Sequence, residues 1–277
     1  MKFIQLHLRL LLRFLRFYWN AKTIYDLHSP FLYAFAKKVV EDRRHFYAFT
    51  FIESFRQLLL QDERSIQIQD YGAGSKIAPS STRKVAALAK HSAIAPKTGR
   101  QLFRIVHLYK PKILLELGTS VGISAMYQAA AALQSDFISI EGCPETAKIA
   151  AENFQKMGVP HIQLLNGPFH EMLPLVIEQV PRLDYVYIDG DHREGASIEY
   201  VELIMAKIHE KSVLILADIH WSKAMENAWK KIIQHPKVSL SIDLYHFGVL
   251  FFEDRKEKEQ LSLVPWYWKP WHLGIWK

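Results

Sequence analysis

Lys112-Ile-Leu-Leu-Glu-Leu-Gly-Thr-Ser-Val-Gly-Ile-Ser124 is the stretch of this 277-residue chain that decides its fold. The apolar run is closed by Glu116, and Gly118 and Gly122 follow at once. This order predicts a buried strand, a tight turn and the start of a helix. Glycine lets the backbone N–H groups of such a turn come close to a ligand, because it has no side chain in the way. The stretch therefore predicts a ligand-binding turn at the end of a strand.

From Pro111 onward, segments typical of strands alternate with segments typical of helices. The predicted strands are 112–116, 137–141, 161–165, 184–189, 212–217, 238–243 and 246–252, and helices at 122–133, 145–157, 168–179, 195–209 and 222–234 separate the first six. Strands joined by helices run parallel, so the pattern predicts an α/β fold, a Rossmann-like doubly wound sheet of seven strands. Only a short turn around Leu244 and Tyr245 separates the last two strands, which predicts an antiparallel hairpin at the end of the sheet.

Three regions are predicted along the chain. Residues 1–95 are expected to form a helical N-terminal extension, residues 96–254 the α/β core, and residues 255–277 an aromatic tail. The tail holds four tryptophans, Trp266, Trp268, Trp271 and Trp276, which we expect to pack against the N-terminal helices. Asp70 to Lys76 is a glycine-containing stretch without a good strand before it, and we interpret it as a loop that covers the active site.

The composition is that of a folded protein, with 49% hydrophobic and 23% charged residues. Cys143 is the single cysteine, which excludes an intrachain disulfide and agrees with a cytoplasmic, reducing location. The net charge of +7 permits an acidic partner but does not require one. The basic residues are scattered except at the N-terminus, so the charge alone identifies no partner.

Residues 1–20 predict an amphipathic helix with a polar stripe and a wide apolar arc. Along the sequence, arginines interrupt the apolar run too often for a transmembrane span. Two interpretations stay open: a peripheral helix on the cytoplasmic face of an anionic membrane, or a helix docked on its own domain or on a second subunit of a homodimer. Nucleic acid is disfavoured as a partner, because the basic residues cluster on a helix with an apolar face.

The ends of the predicted strands carry glycines, acids and histidines. Glu141-Gly142 follows the second strand, Asn166-Gly167-Pro168 the third, Asp189-Gly190-Asp191-His192 the fourth, and Asp218-Ile219-His220 the fifth. Ligands of a doubly wound sheet bind outside the carboxyl ends of its strands. The Gly-x-x-x-Gly spacing behind Glu116 differs from the Gly-x-Gly-x-x-Gly of dinucleotide-binding loops, so the turn favours S-adenosylmethionine over NAD.

The chain resembles the class I S-adenosylmethionine-dependent methyltransferases, and within them the small-molecule O-methyltransferases of the catechol and caffeoyl-CoA type. The motifs that carry the resemblance lie between Pro96 and Glu253: Lys97-Thr-Gly-Arg-Gln101, LLELGTSVGIS, IEGCPETAKIAAENF, the Asn-Gly after the third strand, DYVYIDGDH, and the acid after the fifth. The resemblance implies methyl transfer from S-adenosylmethionine, to oxygen of a small-molecule or lipid-like acceptor. An alternative is a methyltransferase fold with impaired catalysis, acting as a peripheral membrane or scaffold protein.

The resemblance also implies which residues bind the cofactor. Gly118 and Gly122 would approach its methionine part, Glu141 would hold the ribose hydroxyls, and Asp189 would lie beneath the sulfonium. The full set implied is Glu116, Gly118, Ser120, Gly122, Ser124, Glu141, Gly142, Asn166, Gly167, Pro168, Asp189 and Asp191.

The resemblance is less complete for the metal site and for the general base. Metal-dependent members bind a divalent cation through an aspartate matching Asp189 and an Asp-Asn pair, so Mg²⁺ is expected at Asp189 and Asp218. Ile219 replaces the asparagine, which leaves that site short of a ligand unless His220 or Asp191 compensates. His192 stands where those enzymes place a lysine base. We therefore predict His192 as the general base, with Asp189 and His220 as further catalytic residues.

Overall fold

The computed structural model describes residues 2–69, 71 and 82–273, and only the backbone of residues 2–9, 272 and 273. The loop predicted at Asp70 to Lys76 lies outside the described residues apart from Tyr71, and so does Trp276.

The N-terminal extension is mainly helical. Its elements are α1 (Lys2–Asn20), α2 (Pro30–Phe35), α3 (Tyr47–Leu59), β1 (Ser65–Gln67), β2 (Thr82–Lys84), α4 (Val85–His91) and α5 (Pro96–Tyr109), with a 3₁₀ turn at Ile24–Asp26 and a π-helical turn at Ala36–Val40. Prolines begin α2 and α5, where a missing N–H costs the helix no hydrogen bond. β1 and β2 form a short antiparallel pair.

The core alternates strands and helices as predicted. Its elements are β3 (Ile113–Leu117), α6 (Ile123–Ala131), β4 (Asp136–Glu141), α7 (Pro144–Lys156), β5 (Ile162–Asn166), α8 (Phe169–Gln179), β6 (Leu183–Ile188), α9 (Glu194–Met205), β7 (Ile208–Ala217), α10 (Lys223–Ile232), β8 (Leu240–Asp243), β9 (Phe247–Phe251) and β10 (Glu259–Ser262); 3₁₀ turns follow at Trp266–Trp268 and Pro270–Leu273.

Within the described residues the sheet has the order β10-β8-β9-β7-β6-β3-β4-β5. The parallel arrangement and the antiparallel β8–β9 hairpin are confirmed. The predicted number of seven strands is wrong, because β10 adds an eighth that pairs parallel with β8. Glu-Gln-Leu-Ser contains one apolar residue, Leu261, and so lacks the apolar run that marks the other strands. A strand of the predicted tail therefore belongs to the core sheet.

Each face of the sheet is covered by helices. Leu114, on one face, belongs to the apolar cluster that includes residues of α3, α5, α6 and α7. Leu115 and Leu117 belong to the cluster with α8, α9 and α10. Successive side chains of a strand point to opposite faces, so the run ILLEL supplies both clusters. The carboxyl ends of β3, β4, β6 and β7 are left to form the site.

The C-terminal half of α1 docks on the core. Phe14 and Phe17 pack against Tyr245, with ring centroids 5.1 and 5.2 Å apart. The Tyr18 hydroxyl donates to the carbonyl of Trp268, and the Lys269 ammonium donates to the carbonyls of Trp19 and Ala21. The described part of the tail therefore lies against the N-terminal region, as predicted. Among the described residues, no helix has both the length and the hydrophobicity that crossing a membrane requires.

Candidate functional site

A cavity of about 510 Å³ opens at the carboxyl ends of β3, β4, β6 and β7. Ten of the predicted site residues line it: Gly118, Ser120, Ser124, Glu141, Gly142, Pro168, Asp189, Asp191, His192 and Asp218. A cavity of this size falls within the range of about 300–1,000 Å³ typical of small-molecule sites.

The turn after β3 brings two strand ends into contact. Gly118 has a φ of +101°, and its N–H donates to the carbonyl of Ile140 at 2.9 Å. A Cβ atom on Gly118 would lie 2.0 Å from the carbonyl oxygen of Asp189. Gly122, with a φ of +89°, caps α6. Glycine at position 118 is therefore required both by the backbone conformation and by the approach of β6.

Glu141 is held by backbone N–H groups on both sides. One carboxylate oxygen accepts from Ser120 N at 2.7 Å, and the other accepts from Cys143 N at 2.9 Å. Burial raises the pKa of Glu141, and these backbone hydrogen bonds oppose the rise. Asn166 Nδ2 fixes the same strand end by donating to the Glu141 carbonyl at 2.7 Å. The carboxylate is thus oriented at the cavity wall, and each oxygen keeps a lone pair that could accept from a ligand hydroxyl.

The two aspartates after β6 have different partners. Asp189 Oδ2 accepts a hydrogen bond from the Tyr187 hydroxyl at 2.8 Å. Asp191 accepts from the Tyr200 hydroxyl at 2.8 Å and forms an ion pair with Arg193. Tyr187 and Tyr200 also line the cavity, and the sequence analysis did not single them out. Tyr187 lies two residues before Asp189, and this spacing of two could have placed the pair on one face of the strand.

His192 lies between two carboxylates. Its Nε2 atom is 3.9 Å from Asp189 Oδ1 and 3.8 Å from Asp218 Oδ2. The Trp221 ring packs against the imidazole with centroids 5.5 Å apart. His192 and Asp218 both have positive φ angles, +41° and +56°, a conformation that costs free energy for residues other than glycine. Burial, and next the charge of Asp189, raise the pKa of Asp218 to about 6.

His220 is placed differently from His192. Its Nε2 is hydrogen-bonded to Asp243 Oδ2 at 2.8 Å, its Nδ1 lies 3.5 Å from Glu226, and its ring stacks on Tyr245 at 5.2 Å. Burial lowers the pKa of His220, but the hydrogen bond and charge of Asp243, followed by Glu226, outweigh it and raise the pKa above the usual value. His220 is not among the described residues that line the cavity. This geometry ties α10, β8 and α1 together at His220 and does not bring it to the cavity.

Four of the predicted cofactor residues also lie outside the described cavity wall: Glu116, Gly122, Asn166 and Gly167. Glu116 is fully buried, and its carboxylate oxygens accept from Gln128 Nε2 at 2.7 Å and from Ser139 Oγ at 2.6 Å. Burial raises the pKa of Glu116 to about 7 despite those hydrogen bonds. Glu116 therefore ties β3 to β4 and α6 behind the turn.

Ile219 is fully buried in the apolar cluster with α8, α9 and α10. Its side chain therefore lies among apolar neighbours and is not among the described residues that line the cavity. Asp189, His192 and Asp218 each place one ligand atom within 4.8 Å of the others, which makes this trio a candidate cation site. The third candidate donor is thus the imidazole of His192, which follows β6, rather than an amide after β7.

A second cavity of about 190 Å³ adjoins the first. His246 lines both cavities, and Phe14, Phe17, Leu244 and Trp268 give the second one a mainly apolar wall. Lys97 lies at this wall with its ammonium 4.4 Å from the Trp268 ring centroid, and burial lowers its pKa. The helix α1 therefore contributes directly to the surroundings of the site.

Residues 115–219 match a family model described as "Methyltransferase domain". A catechol O-methyltransferase from Niastella koreensis is 28% identical over 128 residues, which make up 45% of this chain and 57% of that protein. The chain thus matches little more than half the length of this curated relative.

Solved structures share the fold. An O-methyltransferase from Bacillus cereus in complex with SAH has a TM-score of 0.55 at 14% sequence identity. The match covers 76% of this chain and 92% of the Bacillus chain. The O-methyltransferase TomG from Streptomyces achromogenes, in complex with S-adenosylmethionine, has a TM-score of 0.54 at 16% sequence identity. The match covers 80% of this chain and 95% of the TomG chain. The resemblance to S-adenosylmethionine-dependent O-methyltransferases stated from the sequence is confirmed.

Proposed function

We propose that this protein is an S-adenosylmethionine-dependent O-methyltransferase that acts on a small-molecule or lipid-like acceptor. One observation carries the proposal: a single cavity joins Gly118 and Glu141 at the β3 and β4 ends to His192 and Asp218 at the β6 and β7 ends. The first pair suits a nucleoside with an amino-acid part, and the second pair suits proton removal from an acceptor.

Cofactor binding is assigned to the first part of the cavity. Glu141 would accept hydrogen bonds from the ribose hydroxyls, because its carboxylate is already oriented by Ser120 and Cys143. Asp189 would face the cationic amino-acid part beside the turn at Gly118. When bound, the cofactor supplies an electrophilic methyl group on a sulfonium.

Proton removal is assigned to His192. His192 would take the proton of the acceptor hydroxyl as that oxygen received the methyl group, which bound S-adenosylmethionine would supply while keeping the sulfur and its electron pair. Asp189 and Asp218 stabilise the resulting imidazolium, since both carboxylates lie within 4 Å of Nε2. His220 would act as a positioning residue, given its hydrogen bond to Asp243.

The test measures binding and turnover separately. Calorimetry should detect S-adenosylmethionine binding and little NAD binding, and formation of S-adenosylhomocysteine should be followed with catechol and a long-chain alkyl catechol as acceptors. His192→Gln should lower kcat by roughly 100-fold or more and leave S-adenosylmethionine affinity intact. His45→Gln, away from the cavity, is the matched control.

Binding of NAD in place of S-adenosylmethionine would overturn the proposal. Binding without turnover of either acceptor would favour the alternative of an impaired methyltransferase that acts as a scaffold. A preference for the long-chain acceptor would support the lipid-like class, because the apolar second cavity adjoins the first at His246.

A metal-assisted route is the second candidate, favoured by the closeness of Asp189, His192 and Asp218. The donor set fits Mn²⁺ or Zn²⁺ better than Mg²⁺, because one donor is an imidazole nitrogen and Mg²⁺ prefers oxygen. A bound cation would orient and acidify an acceptor hydroxyl, and His192 would then be a ligand rather than the base.

The dependence of turnover on added metal distinguishes the two routes. Turnover that survives EDTA supports His192 as base. Turnover lost in EDTA and restored by Mn²⁺, together with calorimetric Mn²⁺ binding that Asp218→Asn abolishes, supports the cation.

A further inference from the structure

The helix α1 has two faces with opposite surroundings. Arg13, Phe14 and Phe17 face the core, where Arg13 Nε lies 3.2 Å from Glu226. The other face carries large apolar side chains in solvent: Leu11 is 51% exposed, Leu12 57%, Leu15 48% and Trp19 82%. Side chains at these spacings share one side of a helix. Docking of α1 therefore leaves an apolar row directed outward.

The exposed charged side chains described on α1 and directly after it are positive. Arg16 is exposed on α1, Lys22 is exposed just beyond it, and the first acidic residue of the chain is Asp26. Arg13 is paired with Glu226, so its charge is balanced within the protein. An apolar row with a basic edge matches an anionic, partly apolar surface.

The tail extends the same surface. Trp271 is 54% exposed, and its ring lies 6.3 Å from that of Tyr18 on α1. Lys269 hydrogen-bonds the carbonyl of Trp19, which holds the tail beside the exposed row. Tryptophan is enriched where proteins meet the headgroup region of a bilayer, since its ring is apolar and its N–H is polar.

We propose that Leu11, Leu12, Leu15, Arg16, Trp19 and Trp271, here called the anchor face, bind the surface of an anionic lipid bilayer. A second copy of the chain is a poorer occupant, because a two-fold interface would place the basic edge against itself. Anionic headgroups complement that edge, and the acyl boundary accepts the leucines and tryptophans.

The anchor face is connected to the site through α1. Arg13 Nη1 donates to the carbonyl of Trp221 at 3.4 Å, and the Trp221 ring packs against His192. Phe14 and Phe17, on the inner side of α1, line the second cavity. The helix that lies on the lipid therefore also forms a wall next to the acceptor cavity.

The test is cosedimentation of the full chain with vesicles of phosphatidylcholine and phosphatidylglycerol in equal amounts, compared with pure phosphatidylcholine. The triple variant Leu11→Gln, Leu12→Gln, Leu15→Gln should lower the partition coefficient by roughly tenfold or more, because three apolar side chains leave the bilayer. Arg16→Gln should lower it about fivefold on the mixed vesicles and much less on phosphatidylcholine.

Matched controls use exposed residues away from α1. Phe51→Gln, Leu58→Gln and Leu175→Gln together remove three exposed apolar side chains, and Lys38→Gln removes one exposed charge. These variants should bind vesicles as the unaltered chain does. Circular dichroism and S-adenosylmethionine calorimetry report whether each variant remains folded, so a folding defect is distinguished from lost lipid binding.

Two results would overturn the proposal. One is vesicle binding of the unaltered chain no stronger than that of the triple variant. The other is a dimer in sedimentation velocity that the triple variant converts to a monomer, because the anchor face would then be a subunit interface.

Discussion

Gly118 lies against Asp189 so closely that a Cβ atom would come within 2.0 Å of the aspartate's carbonyl oxygen. The contact joins the turn after β3 to the end of β6, and the Asp189 N–H closes it by donating to the Leu117 carbonyl at 2.8 Å. The position of the Asp189 carboxylate therefore depends on the absence of a side chain at residue 118. The turn after β3, where we propose that the cofactor binds, and the segment after β6, where we propose that the proton is removed, are thus one structural unit.

Gly118→Ala should disrupt that unit. Alanine is strained at a φ of +101° and also collides with backbone, so we expect a loss of more than about 1 kcal/mol of unfolding free energy. S-adenosylmethionine binding should weaken with it. Urea unfolding and calorimetry provide the measurements.

Gly195→Ala is the control for Gly118→Ala. Gly195 lies in α9, a Cβ there meets nothing within 4 Å, and alanine should leave stability unchanged or raise it. Equal stability and affinity of Gly118→Ala and the unaltered chain would contradict the role assigned to the contact.

Glu141→Gln should weaken cofactor binding more than it weakens folding. The amide offers one acceptor oxygen where the carboxylate offers two, so a loss of about 1.5–3 kcal/mol of binding free energy is expected, a tenfold or greater rise in Kd. Glu145→Gln, an exposed neighbour in α7, should leave the Kd unchanged. Calorimetry with S-adenosylmethionine decides, and an unchanged Kd in Glu141→Gln would remove this residue from the ribose site.

Glu116 should make stability depend on pH. Burial raises its pKa from 4.5 to about 7 in the folded protein, so between those values the native state binds more protons than the unfolded state and stability falls as pH rises. Over this pH range the free energy of unfolding should fall by about 3 kcal/mol in total, since each pH unit contributes about 1.4 kcal/mol. Glu116→Gln should remove this slope.

Urea midpoints at pH 5, 6, 7 and 8 measure the effect for both proteins. Because other groups titrate in the same range, the slope of Glu116→Gln is subtracted from that of the unaltered chain. Parallel stability curves would contradict the assigned titration.

The sheet was predictable where strands are apolar runs closed by an acid, as in Leu114 to Glu116 and Val186 to Asp189. The strand β10 was not predictable, because its only apolar residue is one leucine and its partner β8 lies about twenty residues earlier in the chain. The burial of Glu116 could have been found from alternation, since it shares a face with Leu114 and not with the cavity. The direction of the His220 side chain could not have been predicted. The positive φ of Asp218 turns the chain after β7, and the residue that holds the imidazole ring, Asp243, is distant in sequence.

Ile219→Asn provides the last prediction. The resemblance to metal-dependent methyltransferases implies that asparagine here would complete a cation site. Ile219 is instead fully buried in the cluster with α8, α9 and α10, and it does not line the cavity that holds Asp189 and Asp218. We therefore expect the substitution to cost about 3 kcal/mol or more of unfolding free energy, from the lost apolar burial and an unsatisfied amide.

Ile219→Asn should not increase calorimetric affinity for Mg²⁺. Ile219→Val, which keeps the position apolar, should cost only about 0.5–1.5 kcal/mol and serves as the control. A gain of Mg²⁺ affinity with little loss of stability would show that residue 219 can reach the carboxylates. A cation in this protein would then be held by oxygen donors that follow β7 rather than by His192.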